Sequence, residues 1–423
     1  MKLLINLCAH DGIISHYTGV GTIVKRYIKM FQMILEKRGY EYAINLYTPE
    51  YHSNSFGYSA YTHEVHKQMK NVNIIQISNG SNGAVNYGTI KDWKLLSKNT
   101  ANAINSLNIS NYDLVLTISN DTPFAGLNEL LNSSDKNYKI WIPHSTGKIH
   151  KVNSAIKDGE DDLQARINWE KQAVNYINQN TNSYLGGTGR YISMHMINQY
   201  SLKESKLINI INGEILSQQT IYQETDEMAR LFNDIEKEDA IIMDFGRAEE
   251  YKNIDAAMVL GNIIGVKPVV IAQSYYKGQP IIKKYEDIAK ATNSKLYVDV
   301  PFDFPFYILN HYNKNMILLI PSKKEIFGLI VNQVRKLNKS NILIVANDIG
   351  GLHEQINDEK DGVLVNLENM QESAEKISRN FTTENIQNFN KLSQKKLKET
   401  YDFEKICTEF MDFFINSKWC AII

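Results

Sequence analysis

Arg247 and Lys252 lie in one short stretch, Gly246-Arg247-Ala248-Glu249-Glu250-Tyr251-Lys252-Asn253, directly after the apolar run 240–245. Two cations at the end of a strand can converge on one anion, and a diphosphate suits such a pair. Gly246 lets the chain turn closely beside a ligand. A solvated loop is the plain reading of the same residues. A second stretch runs Pro321-Ser322-Lys323-Lys324-Glu325-Ile326-Phe327-Gly328-Leu329-Ile330-Val331-Asn332-Gln333. Pro321 ends a strand expected at 316–320. The backbone at Gly328 and Leu329 then opens a helix whose unpaired N–H groups and positive dipole end can hold phosphate oxygens. Glu325 stands at the mouth of that site, where a carboxylate is costly unless it accepts hydrogen bonds; sugar hydroxyls are natural donors. A third stretch, Asp348-Ile349-Gly350-Gly351-Leu352-His353-Glu354, brings paired glycines and a carboxylate to the end of the strand expected at 341–345. Ligands of open α/β sheets bind outside the carboxyl ends of the strands, so three such loops point to one binding edge.

These loops need a sheet to carry them. Strands are expected at 240–245, 266–272, 295–298, 316–320, 341–345 and 363–365, separated by helical or polar segments. An earlier set begins with the apolar strand 2–9, a loop holding Gly12, Gly19 and Gly21, and a helix from about Thr22 to Arg38, and continues at 42–47, 72–77, 114–118 and 139–142. Ile23, Tyr27, Met30, Ile34 and Leu35 recur at helical spacing, leaving Lys25, Arg26, Lys29, Lys37 and Arg38 on the other face. That face reads as solvated, or as a peripheral contact with an anionic membrane. Stretches 78–88 and 151–162 read as loops, either solvated or bordering an acceptor pocket. The polar, acidic stretch 218–239 separates the two sets and places a boundary near residue 215. The length of 423 residues fits two domains of roughly 200 residues each.

In their order and spacing these stretches resemble the retaining glycosyltransferases of family four, over nearly the whole chain. Gly246-Arg247 and Lys252 resemble the family's diphosphate clamp. Pro321 to Gln333 resembles its P-S-x-x-E-x-F-G-x-x-x-x-E signature, and Gly350-Gly351 to Glu354 with Gly362 resembles its G-G-x-x-E...G loop. Ile211-Asn212-Gly213 is similar to the family's I-x-N-G turn, and Tyr401-Asp402-Phe403 to the start of its closing helix. Tyr17-Thr18-Gly19-Val20-Gly21 is similar to the loop that approaches the donor phosphates across the cleft, and His144 to a histidine that contacts the donor sugar.

The resemblance implies an α/β protein of GT-B fold, with two Rossmann-like doubly wound domains facing a central cleft. Residues 1–215 would form the acceptor side, 216–400 the donor domain, and 401–423 a helix returning to the N-terminal domain. It implies transfer of a sugar from a nucleoside-diphosphate sugar to a sugar-containing or small-molecule acceptor, with retention of configuration, no cofactor and no essential metal. By resemblance, Arg247 and Lys252 stabilise the departing diphosphate with backbone near Gly19, Gly21 and Gly328. Glu325, Glu354 and His144 contact the sugar, Gln333 the ribose, and Gly246, Phe327, Leu329, Gly350 and Gly351 line the donor. Gln333 departs from the family, which has a glutamate there. An amide offers one acceptor oxygen where a carboxylate accepts from both ribose hydroxyls. That departure admits a non-catalytic subunit as an alternative; a nucleotide-sugar epimerase is the alternative among enzymes.

Composition narrows the classes further. Lys plus Arg (46) and Asp plus Glu (47) nearly cancel, leaving a formal charge of -1 and no global field for nucleic acid. Cys8, Cys407 and Cys420 form no CxxC pair, which argues against a disulfide framework or a zinc site and fits a cytoplasmic location. No apolar run approaches the ~18 residues of a membrane span. Cys420-Ala421-Ile422-Ile423 has the form of a prenylation box, and four residues match that form easily by chance.

Overall fold

The structure is a computed structural model and describes residues 1–10, 13, 19–51, 71–79, 89–150, 162–218 and 224–420. The chain divides into two compact units, Met1–Asn212 with Phe403–Ile423, and Gly213–Asp402.

The first unit runs β1 (Lys2–Cys8), α1 (Gly19–Lys37), β2 (Glu41–Pro49), β3 (Val72–Ile77), α2 (Ile90–Asn105), β4 (Leu114–Asn120), α3 (Leu127–Leu130), β5 (Asn137–Ile142), α4 (Gly147–His150), α5 (Asp162–Gln179), β6 (Ser183–Gly187), α6 (Arg190–Tyr200) and β7 (Leu207–Asn209). Its strands pair in parallel in the order β3-β2-β1-β4-β5-β6-β7. Leu3, Leu4, Ile5 and Leu7 of β1 are all buried, as expected of a parallel strand covered on both faces. α2 starts at a capping box: Asp92 N–H donates to Thr89 Oγ1 at 3.3 Å and Thr89 N–H to Asp92 Oδ2 at 2.8 Å.

Two expectations need correction here. Gly19 and Gly21 belong to the first turn of α1 and not to a loop before it; Gly21 is buried there. Glycine lowers helix propensity by about 1 kcal/mol, which moved the expected start to Thr22, and burial outweighs that penalty. Gly12, Tyr17 and Thr18, with most of 78–88 and nearly all of 151–162, lie outside the described residues. Strands β6 and β7 had not been expected: the first ends in Gly186-Gly187 and the second is three residues long, so neither carries a strand signal.

The second unit runs α7 (Asp226–Ile235), β8 (Ile241–Arg247), α8 (Ala256–Ile264), β9 (Lys267–Gln273), α9 (Pro280–Ala291), β10 (Lys295–Val298), α10 (Phe304–His311), β11 (Met316–Ile320), α11 (Leu329–Leu337), β12 (Ile342–Asn347), α12 (Gly350–Gln355), β13 (Val363–Val365), α13 (Met370–Asn380) and α14 (Thr383–Thr400). Six parallel strands pair in the order β10-β9-β8-β11-β12-β13. Successive side chains supply opposite cores. Met316, Leu318 and Ile320 pack with Met228, Phe304 and Val331, while Ile317 and Leu319 pack with Met258, Leu260 and Ile377.

The last helix, α15 (Phe403–Cys420), packs on α1 within the first unit. Phe403 stacks on Tyr27 at 5.5 Å and Phe410 on Phe31 at 6.1 Å, and Arg38 Nη1 bonds Asp412 Oδ1 at 2.6 Å. Lys37 lies 3.6 Å from Glu404. Two cations of the expected basic face are therefore paired with this helix. Among the described residues no helix is long and apolar enough to cross a membrane.

Candidate functional site

In both sheets the strand order reverses beside the first strand, between β1 and β4 and between β8 and β11. A crevice opens at the carboxyl ends there, because successive connections leave on opposite faces. In the second unit Gly246 and Arg247 end β8, and Pro321 and Ser322 follow β11, so two of the three expected loops exit at this switch point. They are stitched together. Lys323 N–H donates to Tyr251 O at 2.7 Å, Asn253 Nδ2 to Pro321 O at 3.3 Å, and Asn347 Nδ2, from the end of β12, to Ser322 O at 3.1 Å.

Gly246 does not make the turn it was expected to make. It is extended within β8, opposite Ala272, and the left-handed residue of this loop is Asn253 at φ 54°. Among the described residues a Cβ at Gly246 would meet only Ile254 Cγ2, at 4.0 Å, so they leave that direction open. Open space at a strand end is what close approach by a ligand requires.

Arg247 is held by groups that the sequence did not single out. Its Nη1 donates to Tyr275 Oη at 2.7 Å and its Nη2 to Tyr251 Oη at 2.6 Å, with Glu249 Oε2 3.3 Å away and the guanidinium 5.7 Å from the centre of the Tyr275 ring. Tyr275 is fixed in turn: its N–H donates to Gln279 Oε1 at 2.9 Å, and Gln279 Nε2 donates to Ala248 O at 2.6 Å. Burial pushes the Tyr251 hydroxyl far above its usual range, and the Arg247 charge opposes that shift. Lys252 Nζ donates to Glu325 Oε2 at 2.9 Å, so two of the expected site residues, 73 positions apart, meet directly. Both side chains keep some exposure, 25% and 19%.

Behind Glu325 the chain enters α11 through Gly328 at φ 78°, the left-handed region that favours glycine, and this N-cap residue has no side chain to cap the helix. Leu329 is its first residue, Gln333 sits half-buried on it, and Phe327 is buried against Tyr401 at 5.9 Å. Gly350 and Gly351 open the short helix α12, where a loop had been expected. Gly351 N–H donates to Glu325 O at 3.0 Å, and a Cβ there would lie 1.9 Å from Ile326 O, so only glycine permits this approach. Glu354, on α12, is half-buried, and its backbone carbonyl accepts from Lys396 Nζ at 3.3 Å. A buried network supports the turn from below. Gln355 Nε2 donates to Gly328 O at 3.2 Å, and Gln355 O accepts from Arg335 Nη2 at 2.8 Å.

His144 belongs to the first unit, just beyond β5. Its Nε2 is 3.0 Å from Asn120 Oδ1, and Asn120 Nδ2 donates to Cys8 O at 3.1 Å, so the ends of β1, β4 and β5 are joined. The following turn rests on Glu170, which is fully buried. Its carboxylate accepts from Gly147 N–H at 3.1 Å, Thr122 Oγ1 at 3.0 Å, Arg166 Nε at 2.9 Å and the Tyr200 hydroxyl. Arg166 Nη2 then reaches Ser145 Oγ at 2.7 Å. Asp121 stands beside His144 at φ 67°, ψ 175°, a conformation that is nearly glycine-only and costs of order 1–3 kcal/mol. No residue pattern announced it. Gly19 and Gly21 lie in α1 of the same unit.

Burial lowers His144 and His10 from 6.5 to about 4, with Asp121 opposing the shift in both. The folded protein keeps these imidazoles neutral, whereas the unfolded chain takes up protons near pH 6.5. Stability should therefore fall as pH drops from about 6.5 towards 4, and the effect should vanish above pH ~7. Urea midpoints followed by tryptophan fluorescence from pH 7 to 4.5 measure this. His144→Asn should flatten the slope, and an unchanged slope would contradict the assignment. Among the described residues no three His, Cys, Asp or Glu side chains gather as a metal site would need.

No family model and no curated protein matches the sequence. Solved structures do match the fold. The sucrose-phosphate synthase of Thermosynechococcus elongatus aligns over 99% of both chains with a TM-score of 0.72 at 14% identity. HepE of Anabaena, solved in complex with UDP and glucose, aligns over 97% of this chain and 98% of its own, with a TM-score of 0.67 at 13% identity. The chain has the GT-B fold. A glycosyltransferase from Rickettsia africae aligns over 98% of each chain, with a TM-score of 0.66 at 13% identity. The GT-B fold accounts for a parallel Rossmann-like sheet in each unit, and the Arg247, Lys252 and Glu325 cluster occupies the switch point of the second.

Proposed function

We propose that the protein is a retaining glycosyltransferase that moves a sugar from a nucleoside-diphosphate sugar to an acceptor. The observation that carries this reading is the meeting of Lys252 with Glu325 at 2.9 Å, beside Arg247 and the uncapped start of α11. Two cations and a helix N-terminus suit a diphosphate, and a carboxylate at their edge suits sugar hydroxyls. The GT-B fold, shared with a protein solved with UDP and glucose, supports the same donor class.

As the anomeric carbon becomes oxocarbenium-like, charge grows on the departing diphosphate. Arg247, Lys252 and the N–H groups that open α11 offset that charge from fixed positions, with individual donors worth about 3–4 kcal/mol in comparable oxyanion sites. Glu325 and Glu354 accept from sugar hydroxyls, and Gln333 faces the ribose. The contacts of His144, Gly19 and Gly21 with the donor are proposed on the resemblance alone. We place the protein in the cytoplasm, without cofactor or essential metal.

Incubating the protein with UDP-, GDP-, ADP- and dTDP-sugars and measuring release of the nucleoside diphosphate tests this reading. Slow release with one donor, raised by the right acceptor, is expected; conversion of the sugar without any release would mean an epimerase. Gln333→Glu should tighten binding of the nucleoside diphosphate, because a carboxylate accepts from both ribose hydroxyls. Unchanged or weaker binding in calorimetry would show that Gln333 does not face the ribose.

A further inference from the structure

Both clamp cations are matched by carboxylates, but the two carboxylates are differently placed. Glu325 sits across the site from Lys252, at the turn into α11. Glu249 comes from the same loop as Arg247, with its Oε2 3.3 Å from Nη2 and its side chain 19% exposed. Its other oxygen accepts from the hydroxyl of Tyr275, which itself accepts from Arg247 Nη1 at 2.7 Å. Arginine, tyrosine and glutamate thus close a triangle, and Tyr251 holds Nη2 from the other side at 2.6 Å. The tyrosine hydroxyls are neutral and can keep Arg247 oriented beside a phosphate. The Glu249 carboxylate opposes that event, since it carries the same sign as the phosphate and already pairs with the same guanidinium.

We propose that Glu249 is a release residue: it competes with the nucleoside diphosphate for Arg247, weakens product binding, and takes the guanidinium back as the product leaves. This rests on the donor-site reading above. Glu249 is a positioning residue, acting through Arg247 and making no bond to the sugar. A partly exposed ion pair is a modest competitor, so removing its charge should tighten nucleoside diphosphate binding about twofold to fivefold. A residue with a merely structural role gives the opposite sign, because its loss loosens the site.

The test is calorimetry of the full chain with UDP, GDP, ADP and dTDP, paired with stopped-flow dissociation. The diphosphate that binds the wild type should bind Glu249→Gln about twofold to fivefold more tightly and leave more slowly. Combined with Arg247→Ala, the same change should have no effect, because the contested group is gone. Unchanged or weaker binding in Glu249→Gln overturns the inference; Glu249→Ser serves if the first variant does not fold. If Arg247→Ala weakens binding in that case, the donor-site reading stands without this inference. If Arg247→Ala leaves binding intact, or no probe binds the wild type, both fall.

Discussion

Replacing Arg247 by alanine should lower sugar transfer at least ~100-fold while leaving the unfolding midpoint nearly where it was. The loss follows from geometry already in place. Tyr251 and Tyr275 hold the guanidinium at 2.6 and 2.7 Å before any phosphate arrives, so the donor is preorganised and its contribution is made in the transition state. Lys252→Ala should fall on the same scale, with the added consequence that the ion pair to Glu325 is lost. Stability should change little because all four side chains are partly exposed, and truncating Arg247 opens the buried Glu249 Oε2 to water that can solvate it. Turnover measured on folded protein decides the matter, and near-normal rates in both variants would remove these two residues from the chemistry.

The second large effect is on stability. Asp361→Ala should destabilise the second unit by about 3–5 kcal/mol, the range for breaking a buried ion pair from one side. Arg335 and Asp361 meet at 3.0 Å with side chains 0% and 2% exposed. Arg335 also donates to Ser393 Oγ and Gln355 O, and Asp361 Oδ1 accepts from Asn357 N–H at 2.9 Å. Removing the carboxylate strands a buried charge directly below the turn at Gly328. The exposed pair between Arg379 and Glu359 gives the control, since Glu359→Gln should leave the urea midpoint unchanged. An Asp361→Ala midpoint no lower than that of Glu359→Gln would contradict the account.

The contrast between these two clusters shows what a sequence can disclose. Apolar runs such as 316–320 and 341–345 announce parallel strands because both faces are buried, and β11 and β12 appear within two residues of those limits. Lys252 and Glu325 were legible because each stands at a fixed place in a loop of recognisable type. Glu249 and Tyr275 were not, since their meeting depends on how the exits of β8 and β9 approach one another, which no local pattern encodes. Asp121 shows a different limit: its glycine-like backbone is imposed by surroundings that include Trp141 Nε1, donating to its carbonyl at 3.0 Å, and not by its own preference. Gly246 was singled out for the wrong reason. It does not turn the chain but ends β8 extended, with the direction of a side chain open among the described residues.

On the proposed reading, the second unit binds a nucleoside-diphosphate sugar through Arg247 and Lys252. Thermal unfolding of wild type, Arg247→Ala and Lys252→Ala against UDP-, GDP-, ADP-, CMP- and dTDP-sugars tests it most directly, because a ligand of the native state raises its stability by RT ln(1 + [L]/Kd). A selective upward shift of the wild type with one base, lost in both variants, is expected. No shift with any of them, or a shift that both variants retain, would contradict it.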